Sequence, residues 1–344
     1  MKSVGVIGCG VWATTLAISI SKNVKKLNNY KNNVYLWTFE ILINRRKLSG
    51  IINKERENVK YLPGVYLPDN IFAESNLSII LSKSDILFFA IPQKYSEKII
   101  KSMKNILKPN IFIFCITKGI YYENQKLIAF SSYLKSHLNI NCAVLKGSEI
   151  FFKAEGGFIG TLTIGSDNLK YKSIADEVLK SNDCKIKFTQ NHEFLDFIHS
   201  LSSILSFSIG IFVGYNTTLG ERIEFMRNYT FEIVRLCKSI YSDISTNFIN
   251  EHINVKENII NIFSGRNFYS GKILAELQLK PNNIDLIFNG QVTDVCETIF
   301  GIYNYIETCK AKEKYPILTC VYEICFLEKN SKDLLKYMSD GGYK

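Results

Sequence analysis

The first 190 residues alternate between short apolar runs and longer polar stretches. Runs rich in β-branched and aromatic residues occupy positions 3–9, 33–37, 86–91 and 111–116, with weaker candidates at 143–145 and 161–164. Short apolar runs of this kind are typical of strands that are buried on both faces. The stretch after the first run has helical spacing, with Trp12, Leu16 and Ile20 on one face. The pattern predicts an α/β fold in which helices cover both faces of a mostly parallel sheet.

After about residue 190 the pattern changes to long or moderate helical periods without a convincing strand. Helices are predicted over residues 193–214, 221–240, 256–263, 290–309 and 316–328. Residues 194–215 are apolar over a length that would just cross a membrane. The acidic Asp196, the basic His199, and several serines and glycines in this stretch favour a buried helix, so no membrane insertion is expected. The sequence therefore predicts an α/β domain over residues 1–190 and an all-α domain over residues 191–344.

Composition supports this organisation and narrows the classes of partner. The 344 residues correspond to about two domains, and 47% hydrophobic with 22% charged residues is typical of a globular chain. The formal net charge is +10, but the basic residues are scattered. We therefore expect no nucleic-acid partner, and an anionic small molecule fits the charge equally well. The nine cysteines form no CxxC pair, so we expect neither a disulfide framework nor a metal site, and we expect a reducing, cytoplasmic compartment.

A glycine-rich turn follows the first predicted strand directly. Residues 8–13 read GCGVWA, which is the GxGxxA pattern between a strand and a helix. The first glycine of this pattern allows a tight turn, the second lets a pyrophosphate approach the backbone, and the small third residue lets helix and strand pack closely. The helix N-terminus then offers N–H groups to the phosphates. The predicted cofactor-binding residues are Gly8, Gly10, Val11, Trp12 and Ala13.

The end of the second strand leaves the choice between NAD and NADP open. Glu40 follows this strand and could bind the ribose hydroxyls of NAD. Arg45 and Arg46 could instead reach the extra phosphate of NADP, although a solvated helix face suits them better.

Longer motifs resemble those of one known family nearly end to end. Residues 8–17 match a GxGxWGTxLA motif with Ala in place of one Gly, and residues 58–68 match Asn-x-x-Tyr-Leu-Pro-Gly-x-x-Leu-Pro. Shorter matches are Ala-Ile-Pro at 90–92, Thr-Lys-Gly-Ile at 117–120, Gly-Arg-Asn at 265–267 and Pro-Ile at 316–317. The chain thereby resembles the bacterial NAD(P)-dependent glycerol-3-phosphate dehydrogenase family. The resemblance implies a Rossmann-like domain followed by a helical domain, with a possible homodimer.

The resemblance also implies a reaction and a set of site residues. The reaction interconverts dihydroxyacetone phosphate and sn-glycerol 3-phosphate by hydride transfer with NAD or NADP, and it feeds phospholipid synthesis. Lys118 follows a buried strand, where α/β sheets bind ligands, and would orient and polarise the small phosphorylated substrate as well as contact the cofactor. Arg266 and Asn267 would clamp its phosphate, since Arg offers a planar fork of donors. Further implied contacts are Gly147 to substrate, and Arg266, Val292 and Asp294 to cofactor.

The chain departs from the family at the residues that carry the chemistry. An ungapped alignment of residues 191–214 places Ser202 and Ser203 where the family has a Lys-Asn pair with the proposed proton donor. A serine hydroxyl lacks a comparable pKa, so Ser202 is a catalytic position in doubt, and Lys118, Lys153 or Lys256 could supply the missing ammonium. Three hypotheses remain: an active dehydrogenase, a catalytically impaired homologue that binds a dinucleotide without turnover, or another two-domain reductase. The segment at residues 58–68 argues against the third.

Overall fold

The computed structural model describes residues 1–147, 160–245, 265–278 and 293–338, and the chain divides into two compact units. The first unit comprises Met1–Thr117 and Ser131–Glu193, and the second comprises Lys118–Phe130 and Phe194–Lys344. Each unit has a buried hydrophobic cluster. Residues 118–130 thus belong to the helical unit although they lie within the first 190 residues. A single boundary at residue 190 does not describe this division. That boundary stays a prediction.

The strands and helices are numbered in chain order. The strands are β1 (Lys2–Ile7), β2 (Tyr30–Trp37), β3 (Leu42–Ile43), β4 (Arg46–Lys47), β5 (Glu57–Asn58), β6 (Leu62–Tyr66), β7 (Ile71–Glu74), β8 (Ile86–Phe89), β9 (Phe112–Cys115), β10 (Ile120–Glu123), β11 (Lys126–Ala129), β12 (Cys142–Gly147), β13 (Gly160–Gly165) and β14 (Cys184–Thr189). The helices are α1 (Val11–Val24), α2 (Leu48–Glu55), α3 (Leu77–Lys83), α4 (Gln93–Met103), α5 (Phe130–Leu138), α6 (Leu169–Leu179), α7 (His192–Gly214), α8 (Leu219–Ile240), α9 (Arg266–Glu276), α10 (Val295–Thr308) and α11 (Pro316–Phe326).

The first unit is built on an eight-stranded sheet in the order β14-β13-β12-β9-β8-β1-β2-β7. Neighbouring strands are parallel except for the β12–β13 pair. Strand β8 is buried along its whole length, as its uninterrupted apolar sequence predicts for a strand covered on both faces. The predicted mostly parallel α/β sheet is confirmed.

The direction of the crossovers places helices on both faces of this sheet. Helix α1 leads from β1 towards the β7 edge, whereas α3 and α4 lead towards β8 and β9 in the opposite direction. Because parallel crossovers are right-handed, helices that lead in opposite directions lie on opposite faces. Accordingly α3 packs against α4. Helix α6 joins β13 to β14, which run antiparallel to β12 and the rest of the sheet, so its right-handed crossover lies on the opposite face, where it packs against α1.

The predicted helix around Arg45 and Arg46 is wrong. Strands β3 and β4 form a short antiparallel hairpin here, and Asn44 and Arg45 make its two-residue turn. Both turn residues have positive φ, 49° and 64°. Two-residue hairpin turns of type I′ require positive φ at both central positions, and asparagine tolerates that conformation well. The helix α2 begins only at Leu48.

The second unit consists mainly of helices, as predicted for the second half of the chain. Helices α7, α8, α10 and α11 correspond to four of the five predicted segments, and residues 256–263 lie outside the described residues. The hairpin of β10 and β11, residues 120–129, packs on α10. A Cβ on Gly301 of α10 would lie 2.6 Å from the Ile120 carbonyl oxygen, so only glycine permits this contact.

Helix α7 is the core of the second unit. Within the described part of the chain it is the one helix long and apolar enough to cross a membrane. Of its most apolar 18-residue stretch, 83% is buried inside the protein. It crosses α9 at direct backbone contact, because Cβ atoms on Gly210 and Gly271 would each lie 2.0 Å from a carbonyl oxygen of the other helix. The crossing places α9 against the C-terminal part of α7, residues 207–214.

Candidate functional site

The glycine-rich turn connects β1 directly to α1. Gly8 has a φ of 124°, and a Cβ there would lie 2.6 Å from the carbonyl oxygen of Ala90. Gly10 is the N-cap residue of α1 and has open space around its Cα. Ala13 is 1% exposed against the sheet. Gly8 thus allows a tight turn and Ala13 allows close packing, while Gly10 leaves its own surroundings open.

The turn lies at the point where the strand order reverses. Strand β1 pairs with β2 on one side and with β8 on the other. The residue that follows β8 stays beside the end of β1, because the Ala90 amide donates to the Ile7 carbonyl at 2.9 Å. Dinucleotides bind α/β sheets at the carboxyl ends of the strands at such a reversal.

The residues present at the turn fit a dinucleotide pyrophosphate. The first N–H groups of a helix have no acceptor within the helix, and Gly10 has no side chain that could accept from them. The exposed fraction of Val11, the first residue of α1, is 37%, so a ligand can approach the helix end. Trp12 is half-buried and packs against the core of this unit. The positive end of the helix dipole also favours an anion here.

The thiol of Cys9 within this turn is protected. Burial raises its pKa to about 11, although a backbone hydrogen bond from Phe39 opposes part of the rise. The thiolate is the reactive form, so at neutral pH Cys9 resists alkylation by iodoacetamide. Cys309 is exposed, so we expect it to be alkylated readily under the same conditions. Mass spectrometry of the native protein measures both, and rapid labelling of Cys9 would contradict the buried placement.

The polar residues after β2 form salt bridges with their own surroundings. Glu40 pairs with Lys47 at 2.5 Å, and this pairing raises the pKa of Lys47. Arg46 pairs with Glu55 at 2.5 Å. All four side chains are largely exposed, so these pairs exchange readily with a ligand. They do not by themselves select NAD or NADP.

Side chains connect the carboxyl ends of β8, β9 and β12. The Thr117 hydroxyl donates to the Ile91 carbonyl at 2.7 Å. Lys146, which is 3% exposed, donates from Nζ to the carbonyls of Ile116 at 3.0 Å and Thr117 at 2.7 Å. Gly147 follows at the end of β12, where a Cβ would lie 2.5 Å from Leu162. A lysine at the end of an apolar run is expected to be exposed, so the sequence pattern did not predict the burial of Lys146.

Lys118 lies beside Ser202 in the second unit. Its Nζ is 3.3 Å from the Ser202 Oγ, and the Ser202 hydroxyl donates to the His199 carbonyl at 2.6 Å. The backbone next to Lys118 is held as well, since the Gly119 amide donates to the Ser200 Oγ at 2.9 Å. Lys118 and Ser202 are both half-buried. Helix α7 thus holds the predicted lysine through two serines that are two residues apart.

A second group of predicted residues meets where α9 and α10 begin. Arg266 is the first residue of α9 and is exposed. The neighbouring Asn267 accepts from the backbone amide of Asp294, the N-cap residue of α10, at 3.1 Å. The structure thus brings Arg266, Asn267 and Asp294 together within the second unit. Val292, Lys153 and Lys256 lie outside the described residues.

A glycine-rich turn at the strand reversal of a Rossmann-like sheet, followed by a helical unit, is typical of the class of two-domain, dinucleotide-dependent dehydrogenases. Comparison with known proteins identifies the family within this class to which the chain belongs. Residues 3–172 match the family described as NAD-dependent glycerol-3-phosphate dehydrogenase N-terminus, and residues 195–336 match its C-terminus counterpart. The chain belongs to the NAD-dependent glycerol-3-phosphate dehydrogenase family, which confirms the resemblance noted in the sequence.

Similar proteins extend over nearly the whole chain. A glycerol-3-phosphate dehydrogenase 1-like protein of Xenopus tropicalis is 31% identical over 96% of this chain and 94% of its own length. A cytoplasmic NAD-dependent glycerol-3-phosphate dehydrogenase of Drosophila kanekoi is 27% identical over 97% of this chain and 93% of its own. The DsGPDH structure of Dunaliella salina superposes with a TM-score of 0.91 at 21% identity. It covers 98% of this chain, which spans 60% of that longer chain.

Proposed function

We propose that this chain catalyses the NAD-dependent interconversion of dihydroxyacetone phosphate and sn-glycerol 3-phosphate. Membership of the family supports the reaction and the use of NAD. The open helix end at Gly10 supports binding of the pyrophosphate. When bound, the nicotinamide supplies or accepts the hydride at the substrate carbon. The chain itself must bind the substrate, and in the reducing direction it must deliver a proton to the carbonyl oxygen.

The observation that carries this proposal is the position of Lys118. An ammonium is the group that can both stabilise a developing alkoxide and give it a proton. Ser202 occupies the place of the family lysine, and its own proton is directed to the His199 carbonyl. Its oxygen therefore accepts from Lys118 and holds the Nζ in place. We assign the proton transfer to Lys118 and an orienting role to Ser202.

Arg266 and Asn267 are the proposed clamp for the substrate phosphate. The Arg266 guanidinium is exposed at the start of α9, where the helix dipole also favours an anion. A planar guanidinium binds two phosphate oxygens at once. Asp294, which is tied to Asn267 through its backbone amide, and Val292 are proposed to border the cofactor. Gly147 is proposed to contact the substrate.

The test is oxidation of NADH with dihydroxyacetone phosphate by the purified protein, with NADPH in parallel. Turnover with NADH supports the proposal. A wild type that binds NADH without turnover, together with a Ser202→Lys variant that gains turnover, would instead identify a catalytically impaired homologue. The departure at Ser202 is the observation that favours this second candidate.

Ser202→Ala is the variant that tests the orienting role. The variant lacks the hydroxyl oxygen that accepts the hydrogen bond from the Lys118 Nζ. We expect kcat to fall by about tenfold, because the ammonium group then samples more rotamers. Ser203→Ala is the matched control, since the Ser203 hydroxyl donates to the Ser200 carbonyl within the same helix. Equal kcat values for the two variants would remove Ser202 from the mechanism.

Three wider expectations remain proposals. The name of the Drosophila relative supports a cytoplasmic location. The product of the reducing direction is the backbone of glycerophospholipids, so a role in their synthesis follows from the reaction proposed. The possible homodimer rests on the family resemblance.

A further inference from the structure

Asn58 is fully buried and binds the backbone of the glycine-rich turn. Its Nδ2 donates to the Cys9 carbonyl at 2.9 Å and to the Thr14 Oγ1 at 2.8 Å. The Thr14 hydroxyl in turn donates to the same Cys9 carbonyl at 3.0 Å. Asn58 and Thr14 are both 0% exposed. A side chain 49 residues away in sequence thus joins the turn from outside.

The donors and acceptors of this group are matched. The amide nitrogen of asparagine has two hydrogens, and here one goes to Cys9 and the other to Thr14. The carbonyl of Cys9 has two lone pairs, and it accepts from Asn58 and Thr14. The Asn58 Oδ1 accepts from the Tyr61 amide at 3.3 Å, which fixes the orientation of the side-chain amide. A buried group that is satisfied in this way holds one geometry.

The direction of the Cys9 carbonyl determines the direction of the next N–H group. A trans peptide is planar, so the carbonyl of one residue and the N–H of the next point in opposite directions. The described residues have no cis peptide bonds. Since the Cys9 carbonyl points inward to Asn58 and Thr14, the Gly10 N–H points outward, away from this buried group. A Cβ on Gly10 would also meet nothing within 4 Å, so the residue itself does not block an approaching ligand.

We propose that Asn58 is a positioning residue for the dinucleotide: by holding the Cys9 carbonyl, it aims the Gly10 N–H at the pyrophosphate. The inference rests on the NAD binding proposed above. It gives the Asn-x-x-Tyr-Leu-Pro-Gly segment a function, namely to hold the phosphate-binding turn from outside. No contact between Asn58 and the cofactor is required.

Asn58 can act in this way because its own segment is fixed. Its neighbour Glu57 accepts from the Gly64 amide at 2.8 Å, and β5 pairs with β6. The Arg56 guanidinium donates to the carbonyls of Pro68 and, at 2.9 Å, Ile71. The loop is therefore bound at both ends, and it can transmit the position of Asn58 to the turn.

The experiment measures the Kd for NADH of Asn58→Ala and Asn58→Asp by nicotinamide fluorescence. We expect a rise of about tenfold for Asn58→Ala and about a hundredfold for Asn58→Asp, whose carboxylate repels the Cys9 carbonyl. The affinity for ADP-ribose, which keeps the pyrophosphate but lacks nicotinamide, is expected to fall by the same factors. At saturating NADH, kcat and the KM for dihydroxyacetone phosphate stay within about threefold of wild type.

Asn53→Ala is the matched control. Asn53 binds the amide and the carbonyl of Ala73, each at 2.8 Å, and so joins two elements of the same unit away from the turn. Its loss is expected to lower Tm while the Kd for NADH stays within about twofold. A second pair of variants, Thr14→Val and Thr14→Ser, removes or keeps the hydroxyl that completes the group, and only Thr14→Val is expected to weaken NADH binding.

The outcomes separate this inference from the proposed function. A wild type that does not bind NADH refutes the proposed function itself. If the wild type binds NADH but the Asn58 and Thr14→Val variants bind equally well, with only a lower Tm, the role of Asn58 is structural and the inference is wrong. It is also wrong if NADH binding weakens while ADP-ribose binding does not. If Asn58→Asp does not fold, Asn58→Ala and the Thr14 pair decide the question.

Discussion

Replacing Lys118 with alanine lowers kcat for NADH-dependent reduction of dihydroxyacetone phosphate by about a thousandfold. The variant loses both the proton donor and the charge that stabilises the alkoxide, each of which contributes about a hundredfold. Because one group supplies both, the two effects do not simply multiply. Ser202, 3.3 Å away, cannot replace the ammonium. The Kd for NADH is expected to change much less, because the pyrophosphate binds at the turn after β1. Steady-state kinetics and NADH titration measure the two effects separately.

Lys126→Ala is the control for this variant. Lys126 lies on the hairpin that follows Lys118, at the start of β11, and is exposed. Its removal changes the net charge of the second unit by the same amount without touching α7, so kcat is expected to remain within about twofold. If Lys118→Ala retains most of the wild-type kcat, then the proton comes from another group and the assignment of Lys118 is wrong.

Replacing Glu232 with alanine destabilises the protein by about 3 to 5 kcal/mol. This carboxylate is 0% exposed and accepts from the amides of Ile317 at 3.0 Å and Leu318 at 2.8 Å. Both amides belong to the first turn of α11, which begins at Pro316. Without Glu232, two buried N–H groups at the positive end of a helix lose a charged acceptor. Thermal or denaturant unfolding measures the loss.

Glu224→Ala provides the comparison on the same helix. Glu224 forms a surface pair with Arg227 at 2.6 Å, where Arg227 is 53% exposed. Pairs of this kind contribute about 0 to 1 kcal/mol. Glu232→Gln keeps one oxygen acceptor but turns an NH₂ group towards the other amide, so we expect an intermediate loss. Equal stabilities for the Glu224 and Glu232 variants would show that solvent replaces the carboxylate at the end of α11.

Local patterns predicted the parts of this protein whose structure depends on neighbouring residues in sequence. The turn at residues 8–13 is an example, since the strand, the glycines and the helix start are all within a dozen residues. The positive φ of Asn44 and Arg45 is likewise local, but a helix was favoured there because the turn pattern is only two residues long. The predicted helices of the second unit follow directly from their apolar periodicity.

The contacts that sequence reasoning missed join distant segments. Lys146 looks exposed at the end of a strand, and its burial follows only from the pairing of β12 with β9. The alignment placed Ser202 at the family lysine, but only the fold shows that its hydroxyl lies 3.3 Å from Lys118. Asn58 was part of a recognised motif, yet nothing in its spacing indicates a hydrogen bond to Cys9. The long-range pairing of polar groups has no periodic signature.

Because residues 118–130 belong to the second unit, the ribosome synthesises this hairpin well before the helix on which it packs. The apolar side chains of Ile120, Leu127 and Ala129 are buried in the helical cluster, and the hairpin packs on α10, which ends at Thr308. Ribosomes add about 5–20 residues per second, so about 10–35 s separate the emergence of the hairpin from that of its packing partner. During this interval the apolar side chains of the hairpin lack the helices that bury them in the finished fold. We expect chaperones that act during translation to bind such an exposed apolar surface.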